Sequence, residues 1–264
     1  MKIYGLNDKT VVEGIDNFSL SDIFECGQCF RFNKSGDAYE GVAFGKYLRA
    51  YQGGGKIYFE TGLDDFNSTW RGFFDIDRDY RQIFEFLRRD KILARASDFC
   101  PGLRILKQEP FECLISFIIS QNNNIPRIKK IIESLCENFG DRINDNNIYA
   151  FPSAEKLAGL SLEDLACIKS GFRAKYILDA ARKVSAGEID LGSGLDAEYL
   201  KRIRGVGDKV AACVLLFAYN RLDSFPVDVW IKKVLEKYYP GGWDFGEYAG
   251  VANAYLFYWE RKNN

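Results

Sequence analysis

Lys209 and Asp228 carry the functional groups in this sequence that are best placed to do covalent chemistry. A lysine amine attacks carbon only when it is uncharged, and Lys209 is expected in the first turn of a helix. The positive end of the helix dipole and partial burial both favour the uncharged amine there. Asp228 follows at the start of the next predicted helix, so that its carboxylate could return toward the amine across a hairpin. The pair suggests nucleophilic attack assisted by a carboxylate.

A glycine hairpin comes directly before Lys209. Gly205 and Gly207 flank Val206, and two glycines this close together allow positive φ angles and a close approach of backbone to a ligand. The free N–H groups at the start of the following helix, with basic side chains around them, would suit a phosphate. From these residues alone, an ordinary pair of helices with a solvated basic face explains the pattern equally well.

Two predicted helices follow the hairpin. The first begins at about Asp208 and places Lys209 in its first turn. Pro226 cannot continue a helix, and Asp228 is placed to cap the second helix, which begins at Val229. The amine and the carboxylate are therefore each expected at the N-terminal end of a helix.

The hairpin, the lysine and the aspartate together resemble the helix–hairpin–helix–GPD motif of base-excision DNA glycosylases. The matching residues are Gly205, Val206, Gly207, Lys209, Pro226, Val227 and Asp228. Further matches over most of the chain narrow the resemblance to the 8-oxoguanine DNA glycosylases. It implies a bifunctional glycosylase and abasic-site lyase, in which Lys209 attacks C1′ of an extruded nucleotide and the resulting Schiff base leads to β-elimination. Asp228 would stabilise positive charge that develops on the sugar.

Two other functions are compatible with the same motif. Alkyl-purine and adenine glycosylases of this superfamily generally lack the lysine and hydrolyse with the aspartate alone, so a monofunctional glycosylase is one alternative. A non-catalytic helix–hairpin–helix protein that only binds DNA is the other.

Two polar segments match the parts of 8-oxoguanine glycosylases that enter the duplex. By composition alone, the amides around Asn122 would simply cap helix ends, and Phe172 beside Arg173 would be packing plus a solvated charge. The resemblance implies that Asn122 fills the space of the extruded base and that Arg127 contacts its orphaned partner. Phe172, where animal relatives usually have tyrosine, would wedge beside the estranged cytosine. Arg173 would donate to the N3 and O2 acceptors of that cytosine.

Four residues match positions that bind the damaged base. The Gly27 carbonyl would accept a hydrogen bond from N7–H, which 8-oxoguanine has and guanine lacks, and an unpaired buried acceptor costs about 1–3 kcal/mol. Cys213 and Phe257 would sandwich the purine. Asn253 falls where the family usually has a glutamine at the Watson–Crick edge. Without the resemblance, Gly27 would be interpreted as a strand or bulge glycine.

The same resemblance sets expectations for phosphate and cofactors. The hairpin N–H groups would hold a phosphate, and Trp230 replaces a histidine usual in the animal enzymes. A monovalent or divalent cation on the hairpin carbonyls is allowed, with no cofactor required. No cysteine follows Cys213, which excludes the iron–sulfur cluster of some relatives. Cys26 and Cys29 have no histidine or second cysteine pair to complete a metal site, and the chain contains no histidine.

Composition limits the partner and the compartment. The net charge of −1 argues only weakly against nucleic acid, because basic residues concentrate at 169–184 and 201–209. The expected partner is double-stranded DNA with 8-oxoguanine, preferably opposite cytosine, bound by a monomer. The chain has no apolar run long enough to cross a membrane, and its N-terminus lacks a signal region. With seven scattered cysteines, these features predict a cytoplasmic protein, nucleoid-associated if prokaryotic.

The distribution of strand and helix patterns predicts an α+β fold. Residues 1 to about 62 are rich in aromatic and β-branched runs separated by turns, which predicts a twisted antiparallel sheet. The expected strands include 29–32, 39–44, 47–51 and 56–60. Helical periodicity follows from about residue 64, with a buried helix at 109–120 and a capping box at 161–164. We therefore expect a sheet domain with flanking helices at 1–100 and a helical region at 101–264. The helical region would form two lobes with a DNA cleft between them.

Overall fold

The computed structural model describes residues 1–144, 147–192 and 194–263. Its strands are β1 Lys2–Leu6, β2 Lys9–Glu13, β3 Asn33–Ser35, β4 Ala38–Ala43, β5 Lys46–Gly53, β6 Lys56–Phe59, β7 Arg142–Asn144 and β8 Ile148–Tyr149. Its α-helices are α1 Leu20–Glu25, α2 Leu63–Asp65, α3 Arg71–Phe73, α4 Tyr80–Leu87, α5 Lys91–Phe99, α6 Pro110–Ser120, α7 Ile125–Phe139, α8 Ala154–Ala158, α9 Ala174–Ser185, α10 Ala197–Leu200, α11 Asp208–Tyr219, α12 Val229–Tyr238 and α13 Ala249–Asn263. A π-helix covers Phe66–Trp70, and 3₁₀ turns cover Asp164–Ile168, Gly171–Arg173 and Gly246–Tyr248. The α+β prediction is confirmed.

The N-terminal sheet has six strands in the order β1-β2-β6-β5-β4-β3. Its paired strands run antiparallel, and their register places Val12 opposite Ile57 and Ala50 opposite Phe59. Its inner face packs on aromatic side chains of the helical segment that follows, among them the fully buried Trp70 and Phe74. These buried aromatic side chains pack the sheet against the helices that follow it.

The strand predicted at 29–32 is wrong. Those residues form a bend, and the strand begins at Asn33. Gly27 has a φ of 95°, which turns the chain sharply after α1. Phe30 and Phe32 are apolar because both are buried, not because they alternate along a strand. Sequence patterning also missed α1 itself, which Ser19 caps by accepting from the Asp22 N–H at 3.3 Å.

The chain divides into two compact units. The first contains Met1–Gly41, Leu48–Lys107 and Asn220–Asn264, and the second contains Val42–Tyr47 and Gln108–Tyr219. These units do not coincide with the predicted segments 1–100 and 101–264. The difference arises at the C-terminus, where α13 packs on α5 and α12 within the first unit.

Buried polar anchors fix the chain around Gly27 in the first unit. The Gln28 side chain is 1% exposed and donates to the Ile23 carbonyl at 3.0 Å and the Arg104 carbonyl at 2.8 Å. Its own oxygen accepts from the Leu106 N–H at 2.9 Å. A fully bonded buried amide of this kind fixes one local geometry, because any shift leaves a polar group unpaired.

The second unit is built around α6, which is buried on nearly all sides as its apolar sequence predicted. It packs on α11 and α7, and the rings of Phe117 and Phe217 stack at 5.4 Å between α6 and α11. The predicted capping box is also present: the Ser161 N–H donates to Asp164 at 2.8 Å, and the Asp164 N–H donates to Ser161 at 3.1 Å. The short turn that follows ends at Lys169, which has a left-handed φ of 54°.

Candidate active site

Lys209 lies half-buried in the first turn of α11, as predicted. Its Nζ donates to the Ser120 hydroxyl at 3.2 Å and lies 4.9 Å from the centre of the Phe117 ring. Both contacts come from the end of α6. The amine is therefore held between a neutral hydroxyl acceptor and an aromatic face.

The glycine hairpin before α11 has the conformation that its sequence requires. Gly205 has a φ of 84°, and a Cβ there would collide with the ring of Tyr176. At Gly207 a Cβ would meet open space, and the Gly207 carbonyl accepts the first helical bond, from the Ala211 N–H at 2.9 Å. Gly205 is therefore needed for packing, whereas the exposed position of Gly207 leaves room for a ligand near the backbone.

The amide segment between α6 and α7 is partly structural. Gln121 and Asn123 donate to the Ile118 and Ile119 carbonyls, both at 3.1 Å, and Asn124 caps α7 by accepting from the Arg127 N–H. These side chains do what composition alone suggested.

Asn122 differs from its neighbours. Its side chain is exposed, and its backbone is left-handed with a φ of 46°. Asparagine tolerates this conformation better than most residues. Asn122 and Asn124 are both exposed, but Asn124 caps α7, so Asn122 is the exposed amide outside the helix caps, as the predicted insertion into DNA requires.

Arg173 is buried, with 3% of its surface exposed, and its guanidinium faces main-chain carbonyls. It donates to Gln121 through Nε at 2.8 Å and again through a terminal nitrogen, to Asn122 at 2.9 Å, and to Ser170 at 3.2 Å. Burial, and then the charge of Arg127, lower the pKa of Arg173. Arg173 thus connects the loop before α9 to the Gln121–Asn122 turn. Arg127 is near enough for its charge to act on Arg173.

Phe172 is 49% exposed, which fits a side chain available to wedge into a base stack. Its ring lies 4.4 Å from the Arg173 guanidinium and meets the Tyr176 ring edge-on at 5.8 Å. Tyr176 also packs against Gly205. One aromatic residue therefore contacts both the wedge and the hairpin.

Asp228 caps α12, as predicted. Its Oδ1 accepts from the N–H groups of Trp230 and Ile231, each at 2.9 Å. Asn253 on α13 is buried and donates to the Pro226 carbonyl at 2.7 Å. The carboxylate is therefore fixed from both directions: by the helix that it caps and by the clamp on the chain before it. Trp230 is half-buried, with the Lys233 amine 4.9 Å from its ring.

The Gly27 segment and α13 are joined through Arg261. The Arg261 guanidinium donates to the Glu25 carbonyl and lies 5.3 Å from the Phe257 ring. Burial lowers the pKa of Arg261. The Gly27 segment and the Phe257 turn of α13 are therefore held together within the first unit.

The predicted site residues fall into two groups, one in each compact unit. The second unit holds Lys209, Cys213, Asn122, Arg127, Phe172, Arg173, Gly205, Val206 and Gly207. The first unit holds Gly27, Asp228, Trp230, Asn253 and Phe257. Within the second, Cys213 is buried one turn after Lys209 on the same face of α11.

Sequence reasoning missed three residues that position these groups: Ser120, Tyr176 and Arg261. Each acts through a tertiary contact, so local spacing carried no signal for Ser120 or Arg261. Tyr176 had one, because a positive-φ glycine in a hairpin is a place where an aromatic ring can pack closely.

Cys26, beside Gly27, is a buried free cysteine. Burial raises the pKa of Cys26 to about 12, so the thiol stays protonated at neutral pH. In the part of the chain that the structure describes, no group of three or more histidine, cysteine or acidic side chains is arranged to bind a metal ion. Nor do the described residues include a helix with the length and apolarity needed to cross a membrane.

Comparison with known proteins assigns the class and then the family. Residues 10–114 match the family model of the 8-oxoguanine DNA glycosylase N-terminal domain, and residues 115–245 match that of HhH-GPD superfamily base excision DNA repair proteins. A probable N-glycosylase/DNA lyase of Methanothermobacter thermautotrophicus is 33% identical over 72% of this chain and 73% of its own. The yeast N-glycosylase/DNA lyase is 36% identical, and the match spans 63% of this chain but only 50% of the yeast protein.

A solved structure covers the whole length. The Clostridium acetobutylicum 8-oxoguanine glycosylase/lyase, in complex with double-stranded DNA containing cytosine opposite 8-oxoguanine, is 37% identical. It superposes with a TM-score of 0.95 over 100% of this chain and 99% of that one. This chain therefore belongs to the HhH-GPD superfamily and, within it, to the 8-oxoguanine DNA glycosylase family, which confirms the resemblance inferred from the sequence.

Proposed function

We propose that this protein excises 8-oxoguanine from duplex DNA and then cleaves the strand at the resulting abasic site. The observation that carries the proposal is the Lys209 amine: it is half-buried at a helix N-terminus and bonded to a hydroxyl. A lysine that served only structure at this place would neutralise a carboxylate. Membership of the 8-oxoguanine DNA glycosylase family supplies the substrate class.

The first step breaks the bond between C1′ and the damaged base. The nucleotide is extruded, because C1′ cannot be reached inside the stack. The Lys209 nitrogen forms a bond to C1′, and the electron pair of the glycosidic bond leaves with the base, which takes up a proton. Asp228 stabilises the positive charge that develops on the sugar as this bond breaks.

The second step cuts the strand. The C1′ adduct opens to a Schiff base, which acidifies the C2′ proton. Loss of that proton forms a carbon–carbon double bond, and the C3′–oxygen bond breaks with the phosphate as leaving group. Water then hydrolyses the imine and frees Lys209. The reaction as proposed uses protein groups and water and requires no cofactor.

Four residues would recognise the damaged base: Gly27, Cys213, Asn253 and Phe257. The Gly27 carbonyl would accept from N7–H, and Phe257 would stack on the purine, with Cys213 on the opposite face. One N–H of the Asn253 amide is committed to Pro226, so Asn253 can offer a base only its second N–H and its oxygen.

Recognition of the opposite base would use Arg127, Arg173 and Phe172. A guanidinium has five N–H donors, and Arg173 uses four of them on the Gln121, Asn122 and Ser170 carbonyls. One donor remains for cytosine unless the turn is released. Exposed Arg127 can meet the base directly, and donors alone suit the two acceptors of cytosine.

We infer further that the partner is double-stranded DNA, bound by a monomer in the cytoplasm. The Gly205–Gly207 hairpin would hold a backbone phosphate, because free N–H groups at a helix start favour anions. Trp230 would contact the DNA through its half-exposed side chain, because its own N–H donates to Asp228. A monovalent or divalent cation on the hairpin carbonyls stays a prediction.

Borohydride trapping tests the proposed function. Wild-type protein with a duplex containing 8-oxoguanine opposite cytosine should give a covalent protein–DNA adduct and a cleaved strand, and Lys209→Gln should give neither. Base release without any adduct would indicate a monofunctional glycosylase. DNA binding without base release, equal in both proteins, would indicate a non-catalytic binding module.

A further inference from the structure

The hydrogen bonds of the Ser120 hydroxyl make it an acceptor, and not a donor, toward Lys209. Ser120 is the last residue of α6, and its hydroxyl donates its single proton to the Phe117 carbonyl at 2.8 Å. The Lys209 Nζ donates to the same oxygen at 3.2 Å. With its proton committed to the backbone, the hydroxyl offers Lys209 a lone pair in a fixed direction.

The end of α6 around Ser120 is itself held firmly. The Gln121 side chain bonds the Ile118 carbonyl, which also accepts from the Gln121 backbone N–H at 3.4 Å, and the Asn123 side chain bonds the Ile119 carbonyl. Arg173 bonds the carbonyls of Gln121 and Asn122. The acceptor presented to Lys209 therefore sits on a part of the backbone with little freedom to move.

A fixed acceptor has a direct consequence for a reactive amine. An uncharged lysine amine has two N–H groups and one lone pair, and only the lone pair can attack carbon. When one N–H points at Ser120, rotation about the terminal C–N bond is restricted and the lone pair must point away from Ser120. The Phe117 ring covers a second side of the nitrogen at 4.9 Å. The Ser120 hydroxyl and the Phe117 ring thus occupy two sides of the nitrogen, and the lone pair points toward a side that neither occupies.

We propose that Ser120 is a positioning residue for the reaction: its hydroxyl orients the Lys209 amine so that the lone pair faces C1′ of the extruded nucleotide. This inference rests on the proposed function, since it concerns the orientation of the same nucleophile. Ser120 does not touch the substrate, and it acts only through Lys209. Its loss should slow bond formation and leave DNA binding unchanged.

Single-turnover kinetics test this. With enzyme in excess over 8-oxoguanine·cytosine duplex, Ser120→Ala should lower the maximal rate of base release and of borohydride trapping about tenfold, as loss of one orienting hydrogen bond implies. The enzyme concentration at half-maximal rate should not change. Ser120→Thr, which keeps the hydroxyl, should restore most of the rate, and Ser120→Cys, which keeps the volume with a weaker acceptor, should fall between.

Ser134→Ala is the matched control. Ser134 is a half-buried serine of α7 in the same unit, and its hydroxyl accepts from Asn138 at 3.3 Å, so the same atoms are removed away from Lys209. Its rate should equal that of wild type, and melting curves should show both alanine variants folded. A wild-type rate in Ser120→Ala, a loss that Ser120→Thr does not restore, or an effect confined to the half-maximal concentration would each overturn the proposal. An inactive wild-type protein would instead refute the proposed function.

Discussion

The nucleophile and the carboxylate both lie at helix N-termini, but the molecule holds them in different ways. Lys209 is held by side-chain contacts alone: one hydroxyl and one ring. Asp228 is held by two backbone N–H groups, and the segment before it is clamped by Asn253. We therefore predict that Lys209 serves chemistry only, whereas Asp228 serves both chemistry and the stability of α12.

The largest effect should come from Lys209→Gln. Without the nucleophile, the single-turnover rate should fall on the order of 1000-fold or more. Because the amine contributes a single half-buried hydrogen bond to a hydroxyl, the free energy of unfolding should change by about 1 kcal/mol or less. Rate assays and denaturant unfolding of the same preparation measure both. A large loss of stability would show that Lys209 also stabilises the fold, contrary to this prediction.

Comparing the Asn and Ala variants of Asp228 should separate its role in the reaction from its role as a helix cap. Both lose the charge, so both should be slowed on the order of 100-fold. Asparagine caps helices about as well as aspartate, so Asp228→Asn should keep its stability. Asp228→Ala should lose about 1–2 kcal/mol. Equal stabilities for the two variants, measured by urea unfolding, would show that the cap contributes nothing.

Arg173 tests whether the DNA-facing turn depends on its internal bonds. Arg173→Ala removes the donors to the carbonyls of Gln121, Asn122 and Ser170, so the free energy of unfolding should fall by about 2 kcal/mol. The preference for cytosine over adenine opposite the lesion should fall as well. Arg173→Lys keeps the charge but not the planar fork, and should recover little of either. Full recovery by lysine would show that charge alone suffices.

The smallest effect is expected at Asn253. Asn253→Ala removes the donor to the Pro226 carbonyl, which should cost about 1 kcal/mol and slow base release less than tenfold by letting Asp228 shift. Asn253→Asp, which replaces the donor by an acceptor, should be worse than alanine. If both variants keep the wild-type rate, the clamp does not position the carboxylate.

Local patterns predicted the parts of this site that local chemistry determines. The Asp228 cap, the start of α11 and the positive φ of Gly205 each follow from residue type and neighbours in sequence. The fold class followed from the change of periodicity near residue 64. Even the conservative interpretation of the amides was right for Gln121, Asn123 and Asn124.

The features that sequence patterns could not supply are tertiary. Ser120 is far from Lys209 in sequence, and nothing in its surroundings marks it as an acceptor for that amine. Asn253 was expected at the edge of a base, and nothing in the sequence predicted that one of its N–H groups also donates to the Pro226 carbonyl. The error at 29–32 has the same origin, because burial made that segment as apolar as a strand while Gly27 bent it. The assigned roles of the residues that would touch DNA stay predictions.

The hydrogen bonds of Arg173 within the protein should affect both the rate and the affinity of DNA binding. They keep Asn122 in its left-handed conformation without help from a ligand. A turn already shaped in this way gives up little conformational entropy when it enters a duplex. Searching along undamaged DNA would then be limited by encounter and base opening, and not by ordering of the protein's own loop.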